Sequence, residues 1–314
     1  MFRPSKRPVK NSINAPSPGK SRNLVRYNSL SMNILTFDIE EWFHILDNAS
    51  TRTETEWGRY ESRIHRNMDL IFQLLDETNS RATFFCLGWV ADKYPDVIKR
   101  IDAAGYEVAT HSYAHQLAYE QSPAEFTGDL QRSIKSLQDV TGKAVRAYRA
   151  PGFSIKFLNR WVFPILLENG IDVDCSVFSA RRSHGGDAAF GITAPSLIDI
   201  NGTPLKEFPI NTVSIAGQDV IFSGGGYFRL FPYPVIHRFT QKSSYVMTYF
   251  HPRDFDHTQP VIEDLGMARR FKSYYGLKGC WPKLHRLLKN FEFIDLAEAD
   301  RRIDWNAVPK KSFG

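Results

Sequence analysis

From residue 34 onward, short apolar runs alternate with stretches of helical periodicity. Ile34-Leu-Thr-Phe37 is a short apolar run, and Ile64, Met68, Ile71, Phe72 and Leu75 then recur at the spacing that lines one helix face. Residues 82–87 are apolar without that period and predict a buried strand, as do residues 106–110. Ser122 has the features of an N-cap, with Pro123 at the first helical position and Glu125 three residues after the cap. Phe126, Leu130, Ile134 and Leu137 continue that face until Gly142 ends it. A strand over 144–148, a helix through Ile165, Leu166 and Leu167 stopped by Gly170, and a strand over 171–175 follow. Residues 184–230 are rich in Gly and Pro and predict irregular excursions, with 223–226 as a flexible loop that lacks the Lys and Ser/Thr of a phosphate-binding loop. A strand over 245–250, a helix over 282–290 and a strand over 291–294 close the chain.

Strand–helix alternation predicts a parallel sheet with helices outside it. Several short strands over some 250 residues favour a single α/β domain of (β/α) barrel type, over an open doubly wound sheet, because no Gly-rich fingerprint follows the first strand. Active sites in such barrels lie at the C-terminal ends of the strands. Four polar clusters fall just past β-type runs: Asp38-Ile-Glu40-Glu41, His111-Ser-Tyr-Ala-His115, Arg149-Ala-Pro-Gly152 and His251. The two histidines of the second cluster share a face if the chain turns helical there, and paired imidazoles suit zinc. Alone that spacing is weak; four clusters together point to one site.

The formal charge of +6 sits in the N-terminus. Residues 1–33 carry seven Lys/Arg and no acid, which leaves residues 34–314 near −1. The basic isoelectric point is therefore no argument for nucleic-acid binding. Residues 1–31, rich in Pro, Ser and Asn, predict a disordered basic tail; a solvated tail is favoured over one that binds an anionic surface, and Met32 is a natural start. No apolar run reaches the length of about 18 residues that a membrane span needs, and the N-terminus has no apolar core of a secretory signal. Cys86, Cys175 and Cys280 are far apart and predict buried free thiols, which fits a reducing, cytoplasmic setting.

The motifs Thr36-Phe-Asp-Ile-Glu-Glu-Trp-Phe-His44, His111-Ser-Tyr-Ala-His115, Arg149-Ala-Pro-Gly152, the Asp172-Val-Asp174 region and Phe250-His-Pro252 resemble, in order and spacing, the polysaccharide deacetylase family (carbohydrate esterase family 4, the NodB-type domain). The resemblance covers roughly residues 34–260. Glu-Trp-Phe-His at 41–44, Gly224-Gly-Gly-Tyr-Phe-Arg229, His251-Pro-Arg-Asp-Phe-Asp256 and Tyr275-Gly-Leu-Lys278 resemble its exosortase-associated subgroup, whose members accompany exopolysaccharide biosynthesis. The family implies a distorted barrel, here over 32–260 with residues 261–314 as an extension packed on it. It also implies hydrolysis of N-acetyl groups on an amino-sugar polymer, a carbohydrate partner and no nucleic acid, and association with exopolysaccharide assembly machinery.

One departure matters. Most of the family has Asp at the position of Ile39; some members use an acid one step later, which makes Glu40 the ligand. Alternation along a strand points Asp38 and Glu40 the same way, Ile39 into the wall, and Glu41 away. The resemblance then implies zinc on Glu40, His111 and His115, Asp38 as base, Arg149 as its partner, and His251 as acid to the leaving amine at an ordinary pKa near 6.5. It implies Trp42, Pro151, Gly152 and Phe153 at the substrate, with a backbone N–H near 151–153 at the oxyanion. Asp174 either positions the site or caps a turn, and Trp42 and Phe43 are as readily core as sugar-stacking surface. His44, His184 and His257 are expected to be non-catalytic. Two readings stay open: a metal-free hydrolase of a cyclic amide, and an inactive carbohydrate-binding relative.

Overall fold

In the computed structural model, which describes residues 31–46, 48–180 and 185–313, the alternation closes into a curved sheet wrapped by helices. The predicted tail, Ser31 apart, and His184 lie outside the described residues. The strands are β1 Met32–Ile34, β2 Thr36–Ile39, β3 Thr83–Cys86, β4 Glu107–Thr110, β5 Ala147–Tyr148, β6 Val173–Asp174, β7 Ser196–Ile200, β8 Thr203–Glu207, β9 Val213–Ile215, β10 Gln218–Val220, β11 Tyr245–Met247 and β12 Lys310–Ser312. The main sheet runs β12-β7-β8-β6-β5-β4-β3-β2, parallel except for the β7–β8 hairpin. β1 pairs with β11 in parallel, and the chain after β11 rejoins β2: Asp38 N–H donates to Phe250 O (2.7 Å) and Phe250 N–H to Thr36 O (3.2 Å). This seam curls the sheet into a distorted (β/α) barrel and brings His251 beside Asp38.

Period-two alternation separates two cores. Phe37, Ile39, Phe84, Cys86 and Tyr148 face the helices, among them Ile64–Thr78 and Pro123–Thr141. Phe85, Ala109, Ala147 and Val173 face the barrel interior with Met247 and Tyr249. Asp38 is in register with Phe85 and so belongs to the interior. The helix start at Ser122 is as the sequence predicts, with Ser122 and Glu125 bonding reciprocally and Gly142 in the left-handed region at φ 68°. All three cysteines are buried and free.

Several elements differ from expectation. Residues 184–230 are not merely irregular: they hold the β7–β8 and β9–β10 hairpins and a helix, Gly225–Leu230. The flexible loop expected at 223–226 is instead a tight junction. A Cβ on Gly224 would lie 2.1 Å from Tyr249 O, so the backbones meet where only glycine fits. Turn residues dominate the composition here and hide strands too short to show a period. The C-terminal helix begins earlier, at Leu277, and runs to Asn290 through Pro282. The strand expected over 291–294 is a single bridge, Ile34 to Ile294. The segment past residue 260 adds Leu284 and Leu287 to the helix-side core, Leu296 and Ile303 to the interior, and β12 to the edge of β7.

Candidate active site

The four clusters converge at the C-terminal ends of β2, β4, β5 and β11. Glu40, His111 and His115 each offer a ligand atom, all within 4.8 Å of one another. Glu40 lies just past β2, while the two histidines lie on the loop after β4. That loop is not helical, contrary to the simplest reading of the spacing: Ser112 (φ 72°) and His115 (φ 52°) turn back in the left-handed region. The turn is held by Ser112, whose Oγ accepts from His115 N–H (3.2 Å) and whose carbonyl accepts from Ser133 Oγ (2.9 Å).

Hydrogen bonds decide which ring nitrogens are available. His111 Nδ1 lies 2.8 Å from Arg149 O, a pure acceptor, so Nδ1 carries the proton and Nε2 keeps its lone pair. His115 Nε2 lies 2.7 Å from Glu40 Oε2. Glu40 Oε2 nonetheless has no partner of hydrogen-bond geometry in its buried position. An orphaned carboxylate oxygen next to two imidazole nitrogens fits a divalent cation. Burial alone pushes Glu40 up, but His115, with His251 and His44, outweighs it and brings Glu40 down to about 2. Burial lowers His111 to about 4 against the pull of Asp38. Both shifts keep the donors in their ligating forms.

Glu41 has a different task. It turns away and caps the helix Ile64–Thr78, accepting from Ser62 Oγ, Arg63 N–H (3.1 Å) and Ile64 N–H (3.2 Å). His44 accepts Glu41 N–H on Nδ1 (3.2 Å) and is buried, with its Nε2 unpartnered. Burial and His115 hold His44 well below the ordinary histidine range, so it is neutral.

Arg149 is fully buried and donates from Nη1 to Asp38 Oδ1 (2.7 Å) and Thr36 Oγ1 (2.7 Å), with its guanidinium 4.1 Å from the Phe85 ring centroid. The other Asp38 oxygen is 3.8 Å from His251 Nε2, and Glu40 Oε1 is 3.9 Å from the same nitrogen. His251 is the most open of these side chains, at 23%.

The partner of His251 was missed in the sequence. Asp254 accepts from His251 N–H (2.9 Å) and contacts Nδ1 (3.0 Å), inside the short helical turn Pro252–Phe255. The signal was available: an acid three residues after a polar residue, with Pro between, is a capping pattern. Arg229 Nε lies 3.1 Å from Asp254 Oδ1, and the Arg229 guanidinium also donates to the carbonyls of Lys272, Ser273 and Tyr275. Burial would lower His251, but the bond and charge of Asp254, with Glu40 and Asp38, raise it to about 9, away from the ordinary value expected from sequence. Asp254 is held below the usual carboxylate range against its burial, chiefly by Arg229 and His251.

Two of the expected residues do not meet the site directly. Trp42 is 2% exposed, packs against Phe43 and Tyr60, and donates its indole N–H to Glu61 O (2.9 Å). It offers no ring face to a sugar, which corrects its placement at the substrate; the core reading of Trp42 and Phe43 is the one observed. Asp174 shares the helix-side face with Tyr148, since β5 and β6 pair Tyr148 with Asp174. It reaches the site through an intermediary: Ser176 Oγ donates to Asp174 Oδ1 (2.6 Å) and accepts from Ala150 N–H (2.8 Å). Beside it, buried Glu207 accepts Val177 N–H on Oε1 (3.3 Å), while its Oε2 has no donor to accept from. Burial first, then Asp174, raises Glu207 well above its ordinary value, and burial raises Asp174. Both shifts favour the protonated carboxyl, Glu207 most strongly. Pro151 is buried, while Gly152 and Phe153 are half-buried with left-handed φ of 61° and 53°. Phe153 and Tyr249 stand edge to face at 4.9 Å.

Beside His115 a cavity of about 350 Å³ is lined in part by Ile45, Trp57, Gln116, Leu117, Arg52 and Glu120. Arg52 and Glu120 pair at 3.2 Å. Neither Asp38 nor His251 lines it.

A distorted α/β barrel with a two-histidine, one-carboxylate cluster and a buried Asp–Arg pair at its strand ends defines the class. Residues 34–162 match the model of the polysaccharide deacetylase family. Residues 175–301 match a domain of unknown function, DUF3473, which spans the boundary expected at residue 260. A peptidoglycan-N-acetylglucosamine deacetylase of Bacillus cereus is 27% identical over 103 residues, 33% of this chain and 38% of that one. Chitin deacetylase 1 of Saccharomyces cerevisiae is 31% identical over 131 residues, 41% of this chain and 42% of that one. The chain thus spans well under half the length of these relatives. A Mycobacterium smegmatis protein assigned as a polysaccharide deacetylase shares the fold, with a TM-score of 0.60 at 18% identity over 90% of this chain and 92% of that chain. No helix among the described residues is long and apolar enough to cross a membrane.

Proposed function

We propose that this protein is a metal-dependent hydrolase that removes N-acetyl groups from an amino-sugar polysaccharide, acting in exopolysaccharide biosynthesis with zinc as its ion. The observation that carries the proposal is one geometry: three ligand atoms within 4.8 Å of one another, with Asp38 and His251 facing each other beside them at 3.8 Å. Glu40, His111 and His115 would hold the ion, which when bound supplies Lewis acidity toward an acetyl oxygen.

The protein's own groups divide the remaining work. Asp38, oriented by Arg149, takes the proton of the attacking water. His251, protonated and oriented by Asp254, gives its proton to the nitrogen as the carbon–nitrogen bond breaks, which yields acetate and a free amine. Pro151 has no N–H and Phe153 N–H is committed to Ala150 O (2.9 Å), so the backbone donor of that turn for the oxyanion is Gly152. The polar and aromatic cavity beside His115 suits a neighbouring sugar ring. Buried free thiols support a cytoplasmic place of action.

Acetate release from N-acetylglucosamine oligomers, with and without chelator, tests this reading. Release that stops on chelation and returns with zinc is expected. Release that ignores chelation would move the assignment to a metal-free amidohydrolase. No release from any acetylated oligomer, with zinc bound, would favour a binding protein.

A further inference from the structure

We propose that the face built by the helix Met267–Tyr274 and its flanks docks on an anionic lipid surface. Met267 is 90% exposed, Phe271 55% and Tyr275 48%, and the last two rings stand 4.8 Å apart. Leu230, 48% exposed, extends the patch, because Arg229 beside it bonds the carbonyls of Ser273 and Tyr275. Side chains this apolar normally leave water, and here four of them gather on one exposed edge.

Charge selects the occupant. From residue 265 to residue 291 the sequence holds seven Lys/Arg and no Asp or Glu, although residues 34–314 as a whole sum to about −1. Arg270, Lys272 and Lys278 are exposed around the apolar patch and pair with no acid among the described residues. Asp264, just before this stretch, is tied back to Asn48 (3.1 Å) and Ser50 (2.9 Å). An apolar stripe flanked by basic residues on a short surface helix is the pattern of interfacial binding. A polyanionic glycan would satisfy the cations and leave Met267 and Phe271 in water. A second copy stacked face to face would oppose like charges across the symmetry axis. A lipid surface satisfies both features at once.

The location gives the docking a purpose. Arg269 donates to Leu46 O (2.8 Å), and Leu46 lines the cavity beside His115. Docking therefore holds the rim of that cavity near the surface, where a saccharide carried on lipid would present itself. The inference does not depend on the proposed activity, since vesicle binding is read without acetate release.

Sedimentation of the full chain with phosphatidylcholine vesicles, with and without phosphatidylglycerol, tests it. Binding is expected only with phosphatidylglycerol. M267S/F271S is expected to weaken it at least about fivefold, and R270E/K272E/K278E at least about tenfold. The basic N-terminal residues are common to all variants, so the loss in M267S/F271S separates this face from them. Equal binding by M267S/F271S and the parent would overturn the proposal, as would binding that ignores phosphatidylglycerol. A concentration-dependent dimer abolished by the same two substitutions would also overturn it, assigning the face to a second copy.

Discussion

At the scale of single residues, the barrel divides its charged groups by side of the sheet. Asp38 on the inner face is the proposed base. Asp38→Asn keeps an acceptor for Arg149, so it loses less than the roughly 3–5 kcal/mol of a buried pair broken outright. Turnover should fall by about 10²–10⁴-fold with metal content unchanged, measured per folded molecule. On the outer face, the raised Glu207 makes a prediction about stability. The folded state keeps a proton that the unfolded chain releases near pH 4.3, so this group's contribution is full below that value and is lost as pH rises above it. Glu207→Gln removes that slope. Its melting temperature should gain on the parent from pH 4 toward pH 8, and a constant difference across that range would refute the upward shift of Glu207. The positions of Asp38, Glu40, His111, His115 and Arg149 at strand ends were legible because each cluster follows a strand-like run. Asp254, Arg229 and Glu207 were not, because their partners are far away in sequence or unmarked by any period. Trp42 misled because aromatic rings beside an acidic motif look the same whether they face a sugar or a core.

At the scale of elements, adjacent carboxylates separate function from architecture. Glu40 faces the two histidines, while Glu41 caps the helix Ile64–Thr78. Glu40→Gln should lose metal, read by mass spectrometry or a colorimetric chelator, with little change in the melting of metal-free protein. Glu41→Ala should keep metal and lose about 1–2 kcal/mol of stability, the scale of a missing N-cap. The reverse outcome would exchange the two assignments. The long helices were legible from their spacing and caps, as at Ser122 and Gly142. The hairpins between residues 196 and 220 were not, since strands of three to five residues end before a period of two can repeat often enough to register.

At the scale of the whole molecule, the two chain ends differ. β12 adds to the edge of β7, and Phe313 stacks on Phe163 at 5.9 Å. A chain ended after Val308 loses that strand and exposes β7, with a melting temperature lower by the order of 5 °C and faster aggregation. A chain begun at Met32 should melt and turn over as the parent does, because Met32 itself opens β1 by donating its N–H to Ser244 O (2.9 Å). A large loss on that second truncation would show that the basic tail packs on the body.

The burial of Arg149 has a consequence for how this chain tolerates change. One guanidinium orients Asp38 and also fills the centre of the barrel, against Thr36, Cys175 O, Met247 and the Phe85 ring. In a saturation screen that scores abundance and activity separately, substitutions here should fall in the low-abundance class, together with core leucines and phenylalanines. A lineage drifting from enzyme to inert sugar-holding scaffold would therefore lose His251 or Asp38 first and retain Arg149, so the arginine alone says little about whether a descendant still works.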